Sequence, residues 1–226
     1  MSIYFQDDHV TLYHGNCLTE HREWLCADVL VTDPPYGMNW AGGAAYSGGL
    51  GGKRSGKVAV AGDASTESRD KCLAAWGSRP AIVFGTWRIT RPEGTTNRLI
   101  WHKSRNPPGV TGNAWYPNDE EIYVLGKGFA GKPSPTVHTT DEWRSGVGGV
   151  VAKIGHPTPK PIDLMEKLVE KCPPGVISDP FAGSGATLIA ARNLGRKSIG
   201  VEMEERYCEI IAKRLDQQVI DFEALM

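Results

Sequence analysis

Two short stretches of this 226-residue chain carry residue types that can do chemistry together. The first is Thr32-Asp33-Pro34-Pro35-Tyr36-Gly37, where the run Asp28-Val29-Leu30-Val31 stops against two prolines. A β-branched apolar run reads as a buried strand, and a Pro-Pro pair cannot extend a ladder because it has no N–H to donate. Each proline also keeps the residue before it out of the helical region, so Asp33 and Pro34 are held extended. The product is a stiff hook at the carboxyl end of a strand. It displays a carboxylate, carbonyls without competing N–H donors, and a phenol ring.

The second stretch is Pro180-Phe181-Ala182-Gly183-Ser184-Gly185, a glycine turn between the strand Val176-Ile177-Ser178-Asp179 and a helix over 186–194 closed by Gly195. A further strand, Ser198-Ile199-Gly200-Val201-Glu202, follows it. Glycines let a ligand approach the backbone, and an acid ending the next strand can accept hydrogen bonds from both ribose hydroxyls. Gly183 and Gly185 also fit two positions of the NAD fingerprint, but Leu188 stands at the third. These residues alone therefore indicate an adenosyl cofactor and leave its kind open.

The elements that must position these stretches can be read from the pattern. Val10-Thr11-Leu12-Tyr13-His14-Gly15-Asn16 alternates and ends in a turn pair, so it is a strand, followed by a short helix over 20–26. A helix over 68–76 precedes buried strands over 81–85 and 97–101, and 120–125 is another strand. Ile162, Met165, Leu168, Val169 and Cys172 share one helical face, ended by Pro173-Pro174-Gly175. A last amphipathic helix runs through Tyr207, Ile210, Ile211 and Leu215. Strands alternating with helices predict an α/β, doubly wound, mostly parallel sheet. In such sheets ligands bind at the carboxyl ends of strands near the switch in strand order, so neighbouring strands would bring the two stretches into one crevice.

Two segments do not fit regular elements. Residues 38–62 are crowded with glycine and carry Lys53, Arg54 and Lys57; so long an irregular segment is expected to be a mobile functional loop. Residues 126–150 form a polar insert containing Gly and Pro. The remainder reads as one domain spanning 1–226.

Composition narrows the class. A net charge of −1 gives no global attraction to nucleic acid, although basic residues cluster in the middle of the chain at Arg98, Lys103, Arg105, Arg144 and Lys153. The five cysteines are widely spaced with no C-x-x-C pair, which argues against a disulfide framework or a zinc site and for small reduced core residues. No apolar stretch reaches membrane-spanning length, and the first residues lack a signal-peptide layout, so no membrane partner and a cytoplasmic location are expected.

With these residues in place, the chain resembles the β class of S-adenosylmethionine-dependent DNA amino methyltransferases. Asp33-Pro34-Pro35-Tyr36 looks like their catalytic motif, and Asp179-Pro180-Phe181-Ala182-Gly183-Ser184-Gly185 like their cofactor loop. His156-Pro157-Thr158-Pro159-Lys160-Pro161 is similar to the segment preceding that loop, in the permuted order where the catalytic motif comes first. The resemblance implies a Rossmann-like fold and methyl transfer to the N6 of adenine in a specific duplex sequence, after base flipping. Catalytic roles fall to Asp33, Pro34, Pro35 and Tyr36, with Asp33 and the Pro34 carbonyl accepting from the amino group and Tyr36 stacking on the base.

For the cofactor, the resemblance implies Asn16, Cys17, Asp33, His156, Thr158, Lys160, Asp179, Phe181, Gly183, Ser184, Gly185, Glu202 and Met203. Lys160 and Thr158 would lie near the amino-acid end of S-adenosylmethionine, Glu202 on the ribose and Met203 beside the adenine. Core packing is an equal alternative for Met203. Asn16 stands where the family usually has Asp, which predicts weaker adenine binding. DNA contacts are expected from Lys53, Arg54, Lys57, Lys103, Arg105, Asn106 and Arg144, with 126–150 reading the target and Trp143 beside Arg144. Trp40, Trp87 and Trp101 could stack or wedge, but core packing is expected of them. Double-stranded DNA is the expected partner, and the resemblance leaves room for a homodimer and a cognate restriction endonuclease. Cytosine-N4 methylation, a catalytically inactive DNA-binding homologue and an NAD oxidoreductase stand as alternatives.

Overall fold

The computed structural model describes residues 3–35, 37, 64–103, 118–140, 154, 156 and 159–223. Tyr36, Trp40, Lys53, Arg54, Lys57, Arg105, Asn106, Trp143, Arg144, Thr158, the loop 38–62 and the second part of the 126–150 insert lie outside the described residues.

The strands are β1 (Ile3–Gln6), β2 (Val10–His14), β3 (Val29–Thr32), β4 (Ala81–Gly85), β5 (Thr95–Lys103), β6 (Asp119–Leu125), β7 (Val137–Thr140), β8 (Ile177–Asp179) and β9 (Ser198–Glu202). Helices α1 (Glu67–Trp76), α2 (Ile162–Val169), α3 (Ala186–Asn193) and α4 (Glu205–Glu223) cover them, with a 3-10 turn at Glu23–Cys26. The strands form one sheet in the order β1-β2-β9-β8-β3-β4-β6-β5-β7. Neighbours from β2 through β9, β8 and β3 to β4 are parallel, while β1 and β6 run antiparallel to the strands they pair with. The expected doubly wound, mostly parallel α/β sheet is therefore the observed one.

Burial explains why these segments are strands. All residues of β3 and β4 are buried, as parallel strands covered on both faces must be. Val29 and Val31 of β3 pack with Leu164, Met165 and Leu168 of α2 and Ala190 of α3. The intervening Leu30 turns to the other face, against Trp24, Cys72 and Trp76. Leu188 and Ile189 of α3 join Val10 and Leu12 of β2 and Ile211 and Leu215 of α4. Fully burying one such aliphatic side chain contributes about 1.5–3 kcal/mol, so the stripe Leu164, Met165, Leu168 and Val169 is enough to hold α2 to the sheet.

Several expectations change in detail. The insert at 126–150 is not wholly irregular: Val137–Thr140 adds β7 to the sheet edge, parallel to β5, and Trp101 Nε1 donates to Thr140 Oγ1 at 2.9 Å. Composition hides this strand because its β-branched residues sit among Gly and Pro and three of its four positions are not buried. The opening residues also form a strand, β1, paired with β2. Trp101 is a core residue as expected, whereas Trp87 is 66% exposed. Cys17, Cys72, Cys172 and Cys208 are buried, and Cys26 is exposed.

The chain winds outward in two directions from one seam. From β3 it passes through α1 to β4, and from β8 through α3 to β9, on opposite sides of the β3/β8 pair. That pair is the switch point, and the buried Thr32 Oγ1 donates to Asp179 Oδ1 across it at 2.7 Å. Replacing Thr32 by Val removes the donor and leaves the buried carboxylate one partner short. Thr32→Val is expected to lower the unfolding free energy by about 1–3 kcal/mol in urea titrations.

Candidate active site

Asp33 follows β3 directly, and the glycine loop follows β8 directly, so the adjacency of these strands places both at one rim of the sheet. Gly37, the last residue of the hook, takes a positive φ of 83°. Lys160 Nζ donates to Asp33 Oδ2, while Asp33 Oδ1 is shielded from solvent and has no hydrogen-bond partner among the described residues. Burial raises the Asp33 carboxyl above the usual range, and Lys160 pulls against that rise.

Lys160 is itself buried and sits 3.3 Å from Glu120 Oε2, on β6. The other Glu120 oxygen accepts from Lys103, on β5. Burial would raise Glu120, but Lys160 and Lys103 together hold it below the ordinary carboxylate range. Lys103, expected to meet DNA, thus has its ammonium on Glu120, and it also lies 4.8 Å above the Trp101 ring. Arg98, from the same basic cluster, pairs with Glu121 at 3.0 Å.

The glycine loop is built from both sides. Asp179 ends β8, and its oxygens accept from Thr32, Phe181 N–H and Thr187. It is 2% exposed, so it shapes the loop from beneath. Gly183 and Gly185 have φ of +54° and +78°, where other residues are strained. A Cβ at Gly185 would lie 2.9 Å from Ile211, which shows how closely α4 approaches. Ser184 is buried, and its carbonyl accepts from Arg214. Phe181 is half-buried against the core.

Glu202 closes the site from β9. Its oxygens accept Gly183 N–H at 2.7 Å and Glu204 N–H at 2.8 Å, which ties the ends of β8 and β9 together. Each carboxylate oxygen keeps a second lone pair. Met203 is 47% exposed beside it, so core packing is not its role. His156 stacks at a tilt on Tyr207, 4.5 Å between centroids, and its Nε2 is 3.1 Å from the point where a Gly183 Cβ would stand. Burial, with Lys160, Arg206 and Arg214 nearby, holds its pKa down to about 3, so it is neutral at physiological pH.

Asn16 starts the turn after β2. Its Oδ1 accepts Leu18 N–H at 2.8 Å and its carbonyl accepts from Glu20 and His21, so it organises that turn. Cys17 is buried, its carbonyl accepts from Trp24 Nε1, and burial pushes its thiol up to about 12. Burial likewise pushes Cys172 and Cys208 up to about 12, far from nucleophilic thiolates. Among the described residues no cluster of His, Cys, Asp and Glu could hold a metal ion, and no helix is long and apolar enough to cross a membrane.

Sequence reasoning missed Glu120, Thr32 and Thr187 as parts of this site. The signal for Glu120 was present as an acid pair opening the apolar strand Ile122-Tyr123-Val124-Leu125. Thr32 and Thr187 have no such signal, because a hydroxyl inside a strand or helix is ordinary until its partner is known.

A Rossmann-like methyltransferase fold is the class that this sheet and its rim define. The chain spans 91% of itself and 99% of M1.HpyAVI, solved as a complex with SAM, at a TM-score of 0.59 and 21% identity. The cytosine-N4-specific PvuII DNA methyltransferase matches over 93% of this chain and 87% of its own, with a TM-score of 0.59 and 14% identity. In sequence, the type II methyltransferase M.ScaI of Streptomyces caespitosus is 36% identical over 109 residues, 47% of this chain and 36% of that protein. The chain spans about half the length of the curated relatives it matches. It belongs to the N6_N4_Mtase family of DNA methylases, whose model matches residues 93–213, more than half of its length.

The buried Asp179 makes stability depend on pH. Burial pushes its carboxyl up to about 6 against the hydrogen bonds it accepts. A folded pKa above the unfolded one gives stability that is full below about pH 3.9 and is lost as pH rises through about 6. Urea midpoints of the unsubstituted protein are expected to fall across that window relative to those of Asp179→Asn, which has no proton to lose.

Proposed function

We propose that this chain transfers a methyl group from S-adenosylmethionine to the exocyclic amino group of a base in duplex DNA, and that the base is adenine, modified at N6. The observation that carries this reading is the pairing of Asp33 and the glycine loop at one switch point, with Asp33 Oδ1 sealed from water and unpartnered among the described residues. Membership of a DNA methylase family supports it. The matched span holds the glycine loop and begins after Asp33.

The rim fits the cofactor. Two glycines at positive φ shape the loop, with α4 packed against Gly185 and His156 beside Gly183, and a carboxylate with spare lone pairs ends the neighbouring strand. Gly183, Gly185, Phe181 and Glu202 would hold it, with His156 as a neutral wall. When bound, the cofactor supplies an activated sulfonium methyl group. The protein's part is positioning, because an adenine amino group is a poor nucleophile whose lone pair is shared with the ring.

Asp33 Oδ1 accepts one amino N–H and the Pro34 carbonyl the other. Together they turn the lone pair toward the methyl group and stabilise the positive charge that develops on nitrogen. Tyr36 stacks on the base, a contact typically worth about 1–3 kcal/mol. A target atom inside a duplex is reached by flipping the base out. Lys53, Arg54, Lys57, Arg105 and Asn106 would meet phosphates, the insert with Trp143 and Arg144 would read sequence, and a restriction endonuclease or a second copy of the chain would complete the system. Cytosine N4 is the second reading, since the family's name covers both amino groups.

Labelled methyl transfer to DNA, followed by nucleoside analysis, tests the reading. N6-methyladenine is the expected product; N4-methylcytosine would move the assignment to the other base, and no labelled DNA would overturn it. Asp33→Ala is expected to lower kcat by about 100-fold or more. S-adenosylmethionine should still raise its melting temperature.

A further inference from the structure

Four charged side chains from four segments meet behind the hook in one line: Lys103 on β5, Glu120 on β6, Lys160 before α2, and Asp33 after β3. Each carboxylate touches a lysine, and the lysine in the middle touches both carboxylates. Phe84 of β4 lies 4.9 Å below the Lys160 ammonium, and Asp179 of β8 is the further acid that Asp33 faces. Among the described residues the line holds two positive and two negative charges.

We propose that Glu120 is a positioning residue for Asp33: with Lys103 behind it, Glu120 anchors Lys160 so that the ammonium holds one Asp33 oxygen and leaves the other to the amino group of the target base. The proposal rests on the methyl-transfer reading for its last clause. A buried lysine held by one carboxylate alone would be free to rotate around it. Held by two, from β3 and β6, its Nζ has one place, and so has the Asp33 carboxylate.

The line is also one electrostatic unit. After burial, the strongest influences on Asp33 are Lys160, which favours its charged form, and Glu120, which opposes it, with Lys103 favouring it again. Removing Lys160 leaves two carboxylates and one lysine. One carboxylate then protonates more readily, since like charges sharing a buried site cannot both ionise easily. Removing Glu120 as well leaves one carboxylate and one lysine, and neutrality returns.

The test is the set Glu120→Gln, Lys160→Met, Lys160→Arg and the double variant Glu120→Gln/Lys160→Met. Two pH series are read: kcat for methyl transfer to DNA, and the urea midpoint, which needs no turnover. For Lys160→Met the acidic limb of kcat is expected to move up by about one pH unit or more. Its urea midpoint should fall more steeply than that of the unsubstituted protein between about pH 5 and 8, because a raised folded pKa gives stability that is lost as pH rises. The double variant is expected to bring both back, a rescue that a purely structural Glu120 would not produce. Lys160→Arg should keep the original limb, and Glu120→Gln alone should lower kcat without raising the limb. The proposal is overturned if the double variant behaves as Lys160→Met does, or if Lys160→Met leaves both pH series unmoved. If the unsubstituted protein labels no DNA, the methyl-transfer reading fails by itself, and the urea series still decides whether the four charges act as a unit.

Discussion

The seam between β3 and β8 is the constraint from which the rest follows. Two parallel strands from which the sheet continues to opposite sides define a switch point, and at such points α/β sheets have their cleft, outside the carboxyl ends of the strands. Thr32 and Asp179 close the floor of that cleft with a buried hydrogen bond. Everything that the candidate site needs is attached to this floor: the hook on one strand, the glycine loop on the other. Thr187 adds a second hydroxyl to Asp179, so the start of α3 is tied to the same carboxylate. The loop is therefore held from below.

The site contrasts two ways of burying acids. Asp179 and Glu202 are satisfied by hydrogen bonds from hydroxyl and backbone N–H groups and act on the shape of the loop. Asp33 and Glu120 are paired with lysines, which supply charge as well as donors, and each keeps one oxygen without a hydrogen-bond partner among the described residues. Neutral hydroxyl donors compensate a buried negative charge less than an ammonium does, which fits the strong rise at Asp179 and the depressed Glu120. In the proposed reaction Asp33 accepts from an amino group, and for that it needs its charge. Placing lysines behind Asp33 serves that need without occupying both of its oxygens.

Much of this was readable from residue order. The all-apolar runs Val29-Leu30-Val31 and Ala81-Ile82-Val83-Phe84 can only be buried strands, and the stripe from Ile162 to Val169 can only be one face of a helix. Pro34-Pro35 and the glycines of 183–185 act through their own backbone chemistry, so their turns need no partner to be recognised. β7 escaped notice because an edge strand of four residues, mostly uncovered, carries almost no hydrophobic period. Trp87 was expected inside by its type, but it sits in the loop after β4, where no described element covers it.

By itself the sequence determined the local pieces: strands that end in a rigid carboxylate hook and in a glycine turn, and an acid at the end of β9. These depend on φ restrictions and hydrophobic period, which act between near neighbours in the chain. Only the tertiary structure decided that Asp33 and Asp179 share a seam 146 positions apart in number, that Lys160 lies against the hook, and that Lys103 turns to Glu120. Charged side chains are long, and their partners are chosen by strand order and register, so no pattern along the chain announces which carboxylate a lysine will meet.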